Sequence, residues 1–384
     1  MEKQSYELIE AVSKQAKVHL LVYRKGEESL LKFFWNLNGN ILKMLKAHPG
    51  IQLIHFNDGL IASIALFHSG YQHIKRVVTV HGLDVVFPLP YFQKKILPRF
   101  NQYDQIIAVS SATAAAIIER GVAKEKVKVI KNGVDRQIAN SGIRALTDLL
   151  PYYPDLDPHK KYFVTLGRPV KRKGFSWLLQ DVIPYLAQDF QVLMIGPFNK
   201  KASFMERALQ VLPKKLYHLF TLFLGYPSDE RKIRELLKDP QISNKVHHLG
   251  KVPFSHLQAI LSHATAFLMP NIQITGDMEG FGLVCLEASL SGTLVVASDL
   301  EGIRDAIVDQ KNGILMPSAD SDAWINRLDE ILAFSEEYKK DAIVFQSYSK
   351  ENYGWEIMAS EYLRVFEQLA YPKSALTLLN SKDR

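Results

Sequence analysis

The sequence predicts an α/β protein of two Rossmann-like, doubly wound domains with parallel sheets, and three observations carry that prediction. Short apolar runs that fit buried strands alternate with helical stretches along nearly the whole chain. The alternation breaks once, between Ser141 and Lys161, where Pro151, Pro154 and Pro158 stand among polar residues. It then resumes as a second set of the same kind. A chain of 384 residues with 47% hydrophobic content can fill two such cores. The expected divisions are a first domain over 1–145, a linker over 146–160, a second domain over 161–352, and a terminal helix with its tail over 353–384.

Taken in order, Leu8, Ile9, Val12 and Ala16 have helical spacing, and Val18–Tyr23 reads as a buried strand. Leu30–Lys46 is helical and stops before Pro49-Gly50, after which Ile51–Phe56 is a strand. Val77–Val80, Ile106–Val109 and Val127–Ile130 are the next strands. They end in His81-Gly82, in Ser110-Ser111 with an alanine-rich helix behind it, and in Asn132-Gly133-Val134-Asp135. Beyond the break, strands are expected at Tyr162–Gly167, Gln191–Gly196, Val246–Gly250, Ala266–Met269, Leu294–Ala297 and Gly313–Leu315. Tyr353–Ala370 is the last helix, its apolar residues spaced for one face.

Composition narrows the function classes. The single cysteine, Cys285, excludes an internal disulfide framework and a cysteine-built zinc site. There is no run of eighteen apolar residues, and the first residues lack the apolar core of a signal peptide, so a cytoplasmic protein is expected. The net charge of +7 is uneven: residues 1–150 hold 20 Lys and Arg against 12 Asp and Glu, and the remainder 27 against 28. A basic first half suits an acidic glycan or anionic lipid; with no zinc-finger spacing or RNA-recognition signature, no nucleic acid partner is expected. Lys94, Lys95 and Arg99, interleaved with Tyr91, Phe92, Ile96, Leu97 and Phe100, fit either an anionic membrane surface or an amphipathic helix packed on its sheet.

The chemistry concentrates in Asp277–Gly292. Gly280 and Gly282 let the backbone approach a ligand closely, and the helix beginning behind them directs its unpaired N–H groups at an anion. Glu279 and Glu287 bracket this turn, about two helical turns apart, so both can face one side. Each alone can serve as a dipole complement or a solvated helix residue. Gly167-Arg168-Pro169-Val170-Lys171-Arg172-Lys173-Gly174 lies between a strand end and a helix start, where open α/β sheets bind ligands. Arg168 and Lys173 can both reach a diphosphate from there.

Acid, Gly-Phe-Gly and Glu at this spacing resemble the E-x7-E signature of the retaining nucleotide-sugar glycosyltransferases of family four, which have the two-domain GT-B fold with domains facing across a cleft. The basic turn matches the same family's G-R-x4-K-G pattern. The resemblance implies that Arg168 and Lys173 neutralise the leaving diphosphate, with Gly167 at the turn, and that Gly280, Phe281, Gly282 and Leu283 offer main-chain donors. It gives Glu279 the sugar hydroxyls and Glu287 the ribose. Leu249-Gly250-Lys251-Val252 matches the edge that reads the base, placing Val252 there. His81, in Thr79-Val80-His81-Gly82, corresponds to an active-site His-Gly, and Asn132-Gly133-Val134-Asp135 to the family's N-G-V-D. In Asp299-Leu300-Glu301-Gly302-Ile303-Arg304-Asp305, Glu301 stands where a glycine is frequent and Asp305 where a glutamate is.

Asn57, Asp58 and Ser110 end first-domain strands and are acceptor-side candidates, turn and cap chemistry being the alternative. Asp155-Leu156-Asp157 is the sole D-x-D and lies among prolines, so no metal and no cofactor beyond a nucleoside-diphosphate sugar is expected. The implied activity is metal-independent transfer of a sugar to a glycan or lipid-linked acceptor, the alternatives being a sugar-nucleotide epimerase of the same fold and a catalytically inactive partner subunit. Family members begin with a strand and a glycine-rich turn, whereas this chain opens in the following helix. The expectation is a first sheet lacking a central strand between Val18–Tyr23 and Val77–Val80, in an N-terminally incomplete chain.

Overall fold

The computed structural model describes residues 2–24, 26–136, 143, 145–198, 213–223, 225 and 228–371. The chain forms two compact units, residues 1–133 with 355–384 and residues 134–354.

The first unit is built on a parallel sheet of β1 (Leu53–Phe56), β2 (Lys75–Val80), β3 (Gln105–Ala108) and β4 (Val127–Val129), laid out in chain order. Three of its helices start where short polar side chains accept the first free N–H groups. Ser29 caps Leu30–Ala47, Asp58 caps Gly59–Ala65 and Ser110 caps Ser111–Glu119. The helix Trp355–Ala370 belongs to this unit and packs on Glu2–Ser13, where Gln4 donates to the Tyr362 hydroxyl at 3.3 Å.

Two expectations about this unit are corrected. Val18–Tyr23 is not a strand: it lies outside every ladder, and Leu20 and Val22 are half exposed. An apolar run becomes a strand only when a neighbour satisfies its N–H and C=O groups, and the sheet offers this one none. Nor does Val77–Val80 lose a ladder, because β2 pairs with β1 on one side and β3 on the other. The edges of the described sheet lie instead at β1 and β4. The Tyr91–Phe100 stretch packs inward through Ile96, Leu97 and Phe100, and Arg99 donates to the Leu66 carbonyl while Tyr91, Lys94 and Lys95 stay exposed. No helix among the described residues is long and apolar enough to cross a membrane.

The second unit has six parallel strands: β5 (Tyr162–Leu166), β6 (Gln191–Ile195), β7 (Val246–Gly250), β8 (Ala266–Met269), β9 (Val295–Ser298) and β10 (Ile314–Met316). Their order is β10-β9-β8-β5-β6-β7. Period-two alternation sends Phe163, Val192, Met194 and Leu268 to one core and Val164, Leu193, Ile195 and Phe267 to the other, so both faces are buried. The 146–160 stretch, expected as a linker, is part of this unit. Leu146, Leu149 and Leu156 are buried in the second core beside Tyr162, whose burial requires that cover.

Candidate active site

Strand order reverses direction between β5 and β8, and the chain leaves that point along two turns. Ligands of open α/β sheets bind outside the strand ends at such a switch. The turn after β5 carries the basic residues, the one after β8 the acidic ones. Gly174 joins them closely. It has φ 65°, and a Cβ there would fall 1.9 Å from the Pro270 carbonyl oxygen. Ile272 also donates its N–H to the Arg172 carbonyl at 2.9 Å. The two turns are thus fixed to each other by backbone before any charge is considered.

The charges then meet on one oxygen. Lys173 Nζ lies 2.8 Å from Glu279 Oε2, Arg172 Nε 3.4 Å, and Asn271 Nδ2 donates to it at 3.3 Å. Arg172 Nη1 is also 3.5 Å from Asp277 Oδ2. Burial by itself raises Glu279, but the charges of Lys173 and Arg172 and the hydrogen bonds from Lys173 and Asn271 hold its carboxyl at about 2. It is therefore ionised across the physiological range.

A third turn supports this pair. Glu279 donates its N–H to Glu301 Oε2 at 2.6 Å, and Gly302 donates its own to the Glu279 carbonyl at 3.1 Å. A Cβ on Gly302 would lie 2.1 Å from the Gly280 carbonyl oxygen, so only glycine allows this approach. Glu301 stands at φ 49°, a left-handed conformation costing a side-chain-bearing residue about 1 kcal/mol. The strong bond to the Glu279 amide offsets that cost. Burial and the nearby Glu279 and Asp277 charges push Glu301 up to about 7, against its bond to that amide and the Arg172 charge.

The other expected donor-side residues divide by environment. Gly282, at φ 86°, precedes the helix Leu283–Leu290, and no side chain caps the first N–H groups of that helix. The Phe281 ring is buried, 6.5 Å from the Tyr353 ring, leaving only its backbone for a ligand. Glu287 is partly exposed on the same helix. Val252 packs against the second core. Gly167 lies against the Lys173 stem, whereas Arg168 is exposed and donates to the Gly225 carbonyl at 3.0 Å. The structure therefore brings Lys173, but not Arg168, to Glu279. Cys285 is fully buried with Sγ 2.9 Å from Met269 Sδ, and burial pushes its thiol up.

In the first unit, His81 Nε2 lies 3.1 Å from the Asn57 carbonyl oxygen. A carbonyl only accepts, so Nε2 carries the proton and Nδ1 keeps its lone pair. Burial lowers this imidazole to about 4 and keeps it neutral at pH 7. Asn57 spends its side-chain N–H groups on Gln4 and Ser5. Asp58 accepts from Leu60 and Ile61 N–H as a helix cap, and Asp84 accepts from Gly59 and His81 N–H. Ser110 is fully buried, accepting from Thr113 N–H and donating to its hydroxyl. It is occupied as a cap rather than presented to an acceptor.

Sequence reasoning assigned no role to Arg172, Asn271, Asp277, Glu301 or Asp84. Arg172 had a usable signal, as a second cation beside Lys173 in the same turn. Asn271 and Asp84 had none, because their partners are set by the turns that fold against them.

Residues 154–343 match the family described as glycosyl transferases group 1, and residues 4–138 match glycosyltransferase family 4. WcaL of Salmonella typhimurium, whose name assigns it provisionally to colanic acid biosynthesis, is 24% identical over 72% of this chain and 60% of its own length. A phosphatidyl-myo-inositol mannosyltransferase of Mycobacterium leprae is 29% identical over 47% of this chain and 46% of its own. The chain thus spans less than two thirds of the length of both relatives. Among solved structures, Anabaena Alr3699/HepE in complex with UDP superposes with a TM-score of 0.69 at 16% identity, covering 86% of this chain and 82% of the other. Two family matches that follow one another along the chain, a shared two-sheet fold and charged turns at the switch point agree: the chain belongs to the group 1 glycosyltransferases, with the GT-B fold.

Proposed function

We propose that the protein is a retaining, metal-independent glycosyltransferase that moves a sugar from a nucleoside diphosphate to a hydroxyl of a cell-envelope glycolipid or polysaccharide intermediate. The observation that carries this reading is the Lys173–Glu279 contact at the β5–β8 switch point, a fixed cation and a fixed anion beside a helix start. Negative charge grows on the diphosphate as the glycosidic bond breaks. Lys173, Arg168 and the N–H groups from Gly280 to Leu283 stabilise that charge in the role a metal serves elsewhere. Glu279 holds sugar hydroxyls and steadies the positive charge developing at the anomeric carbon; Glu287 takes the ribose. His81 offers Nδ1 to a substrate hydroxyl. UDP bound to a neighbour of the same fold supports a nucleoside-diphosphate donor.

The test is a panel of nucleotide sugars with and without glycan or lipid-linked acceptors, in EDTA. Nucleotide release that requires an acceptor and survives chelation supports the proposal. Acceptor-independent turnover supports an epimerase, and failure to bind any donor analogue a non-catalytic subunit. Contact with an anionic membrane rests on the exposed Tyr91, Lys94 and Lys95, at about 1 kcal/mol per basic residue. Sedimentation with anionic but not neutral vesicles is the expected result.

A further inference from the structure

Glu279 has two cations on the same oxygen, and the proposed reaction draws on one of them. Lys173, at 2.8 Å, must also meet the diphosphate, whose greater charge competes for the ammonium. Arg172 is not free to follow. Its Nη1 faces Asp277 at 3.5 Å, its Nε faces Glu279 at 3.4 Å, and its carbonyl accepts from Ile272. We propose that Arg172 is a positioning residue that keeps Glu279 ionised and in place while the charge of Lys173 is drawn to the donor diphosphate.

The surroundings of Glu279 leave this role to Arg172. From the basic turn come Lys173 and Arg172; from the turn after β8, Asn271 and Asp277; from the 299–302 turn, Glu301; and from the helix behind, Cys285. Asn271 donates but carries no charge. Asp277 and Glu301 are carboxyls and make a second buried anion harder to keep. Among these described groups, Arg172 is the one cation besides Lys173. Without it, a Glu279 whose lysine has turned to phosphate takes up a proton or rotates away, and in either case loses its hold on a sugar hydroxyl. The two neighbouring cations thus divide the work: Lys173 answers the phosphates, and Arg172 holds the carboxylate.

This inference rests on the nucleotide-sugar reading, and its test separates the two. UDP binding is measured calorimetrically on the full chain at pH 6.5, in two buffers of different ionisation enthalpy, to count the protons taken up. Because Glu301 and the terminal phosphate of UDP also titrate near this pH, the readout is the difference, and Arg172→Gln should take up about one proton more per UDP bound than the wild-type protein. The acid limb of the kcat profile should move up by roughly one pH unit or more, with kcat falling about tenfold and KM for the donor changing less. Arg172→Lys keeps the charge but not the fork, so it should shift both readouts by a smaller amount, and it carries the test where Arg172→Gln does not unfold cooperatively. A wild-type proton count and acid limb in the variants overturns the proposal while leaving the enzyme reading intact. Absence of UDP binding by the wild-type chain removes both.

Discussion

The two units keep their buried polar groups by opposite means. In residues 134–354 the carboxylates Glu279 and Asp277 are paired with cations, Lys173 and Arg172 on Glu279 and Arg172 on Asp277. In residues 1–133 with 355–384 the interior histidines stay neutral and are hydrogen-bonded. Burial brings His55 down to about 3 and His81 to about 4, and His55, Thr79, Tyr362 and Gln4 form a chain of uncharged contacts. A paired, charged interior can answer charge that develops during a reaction; a neutral one can only donate to and accept from hydroxyls. The contrast follows from topology. The six-stranded sheet has a switch point where two turns with opposite charges are forced together, and the four-stranded sheet, in chain order, has none among the described residues.

The largest way to break the contrast is to remove its central cation. Lys173→Ala should lower turnover by about 100-fold or more, the scale of one electrostatic stabiliser, and exposed Arg168→Ala should cost less. Steady-state rates with one donor decide it; equal losses would mean that the Glu279 contact is incidental. Next is Gly302→Ala, which sets a methyl against the Gly280 carbonyl and should cost about 1–3 kcal/mol in a urea midpoint measurement.

The pH dependence sharpens the comparison because the two units respond with opposite signs. His55 has a folded pKa of about 3 against 6.5, so its stabilisation is present above pH 6.5 and is lost as pH falls toward 3. At pH 5 the loss is about 2 kcal/mol, and His55→Asn should gain on the wild-type protein over that window. Glu301 has a folded pKa of about 7 against 4.5, so its charged form is disfavoured and stability falls as pH rises from 4.5 to 7. Glu301→Gln should therefore gain on the wild-type protein as pH rises. Thermal unfolding of each variant at pH 5 and pH 8 reads both; parallel trends would dissolve the distinction. The smallest effect lies at Gly39, inside Leu30–Ala47 with nothing within 4 Å of a Cβ. Gly39→Ala should stabilise by about 0.5–1 kcal/mol.

What was legible in the sequence tracks how local its cause is. The strands of the second sheet stand out as apolar runs because both faces are buried, and the two site turns because glycines and charges are packed into a few residues. Val18–Tyr23 has the same apolar look, yet whether it becomes a strand depends on a neighbour that its own residues do not specify. In 146–160 the prolines mark turns correctly, but Leu146, Leu149 and Leu156 decide that those turns lie on a core. Arg172 shows the limit most plainly. Its charge is visible in the motif, while its partners arrive from turns far along the chain.

Cys285 is the chain's one thiol, and it sits buried on the helix that begins behind the 277–282 turn. A thiol reagent can consume it only during a local opening of that helix, so the protein carries a clock that ticks once per opening. If the proposed donor site is there, a nucleoside diphosphate bound to the closed form should slow the clock by the factor 1 + [L]/Kd, turning a buried side chain into a direct meter of its occupancy in the unmodified chain.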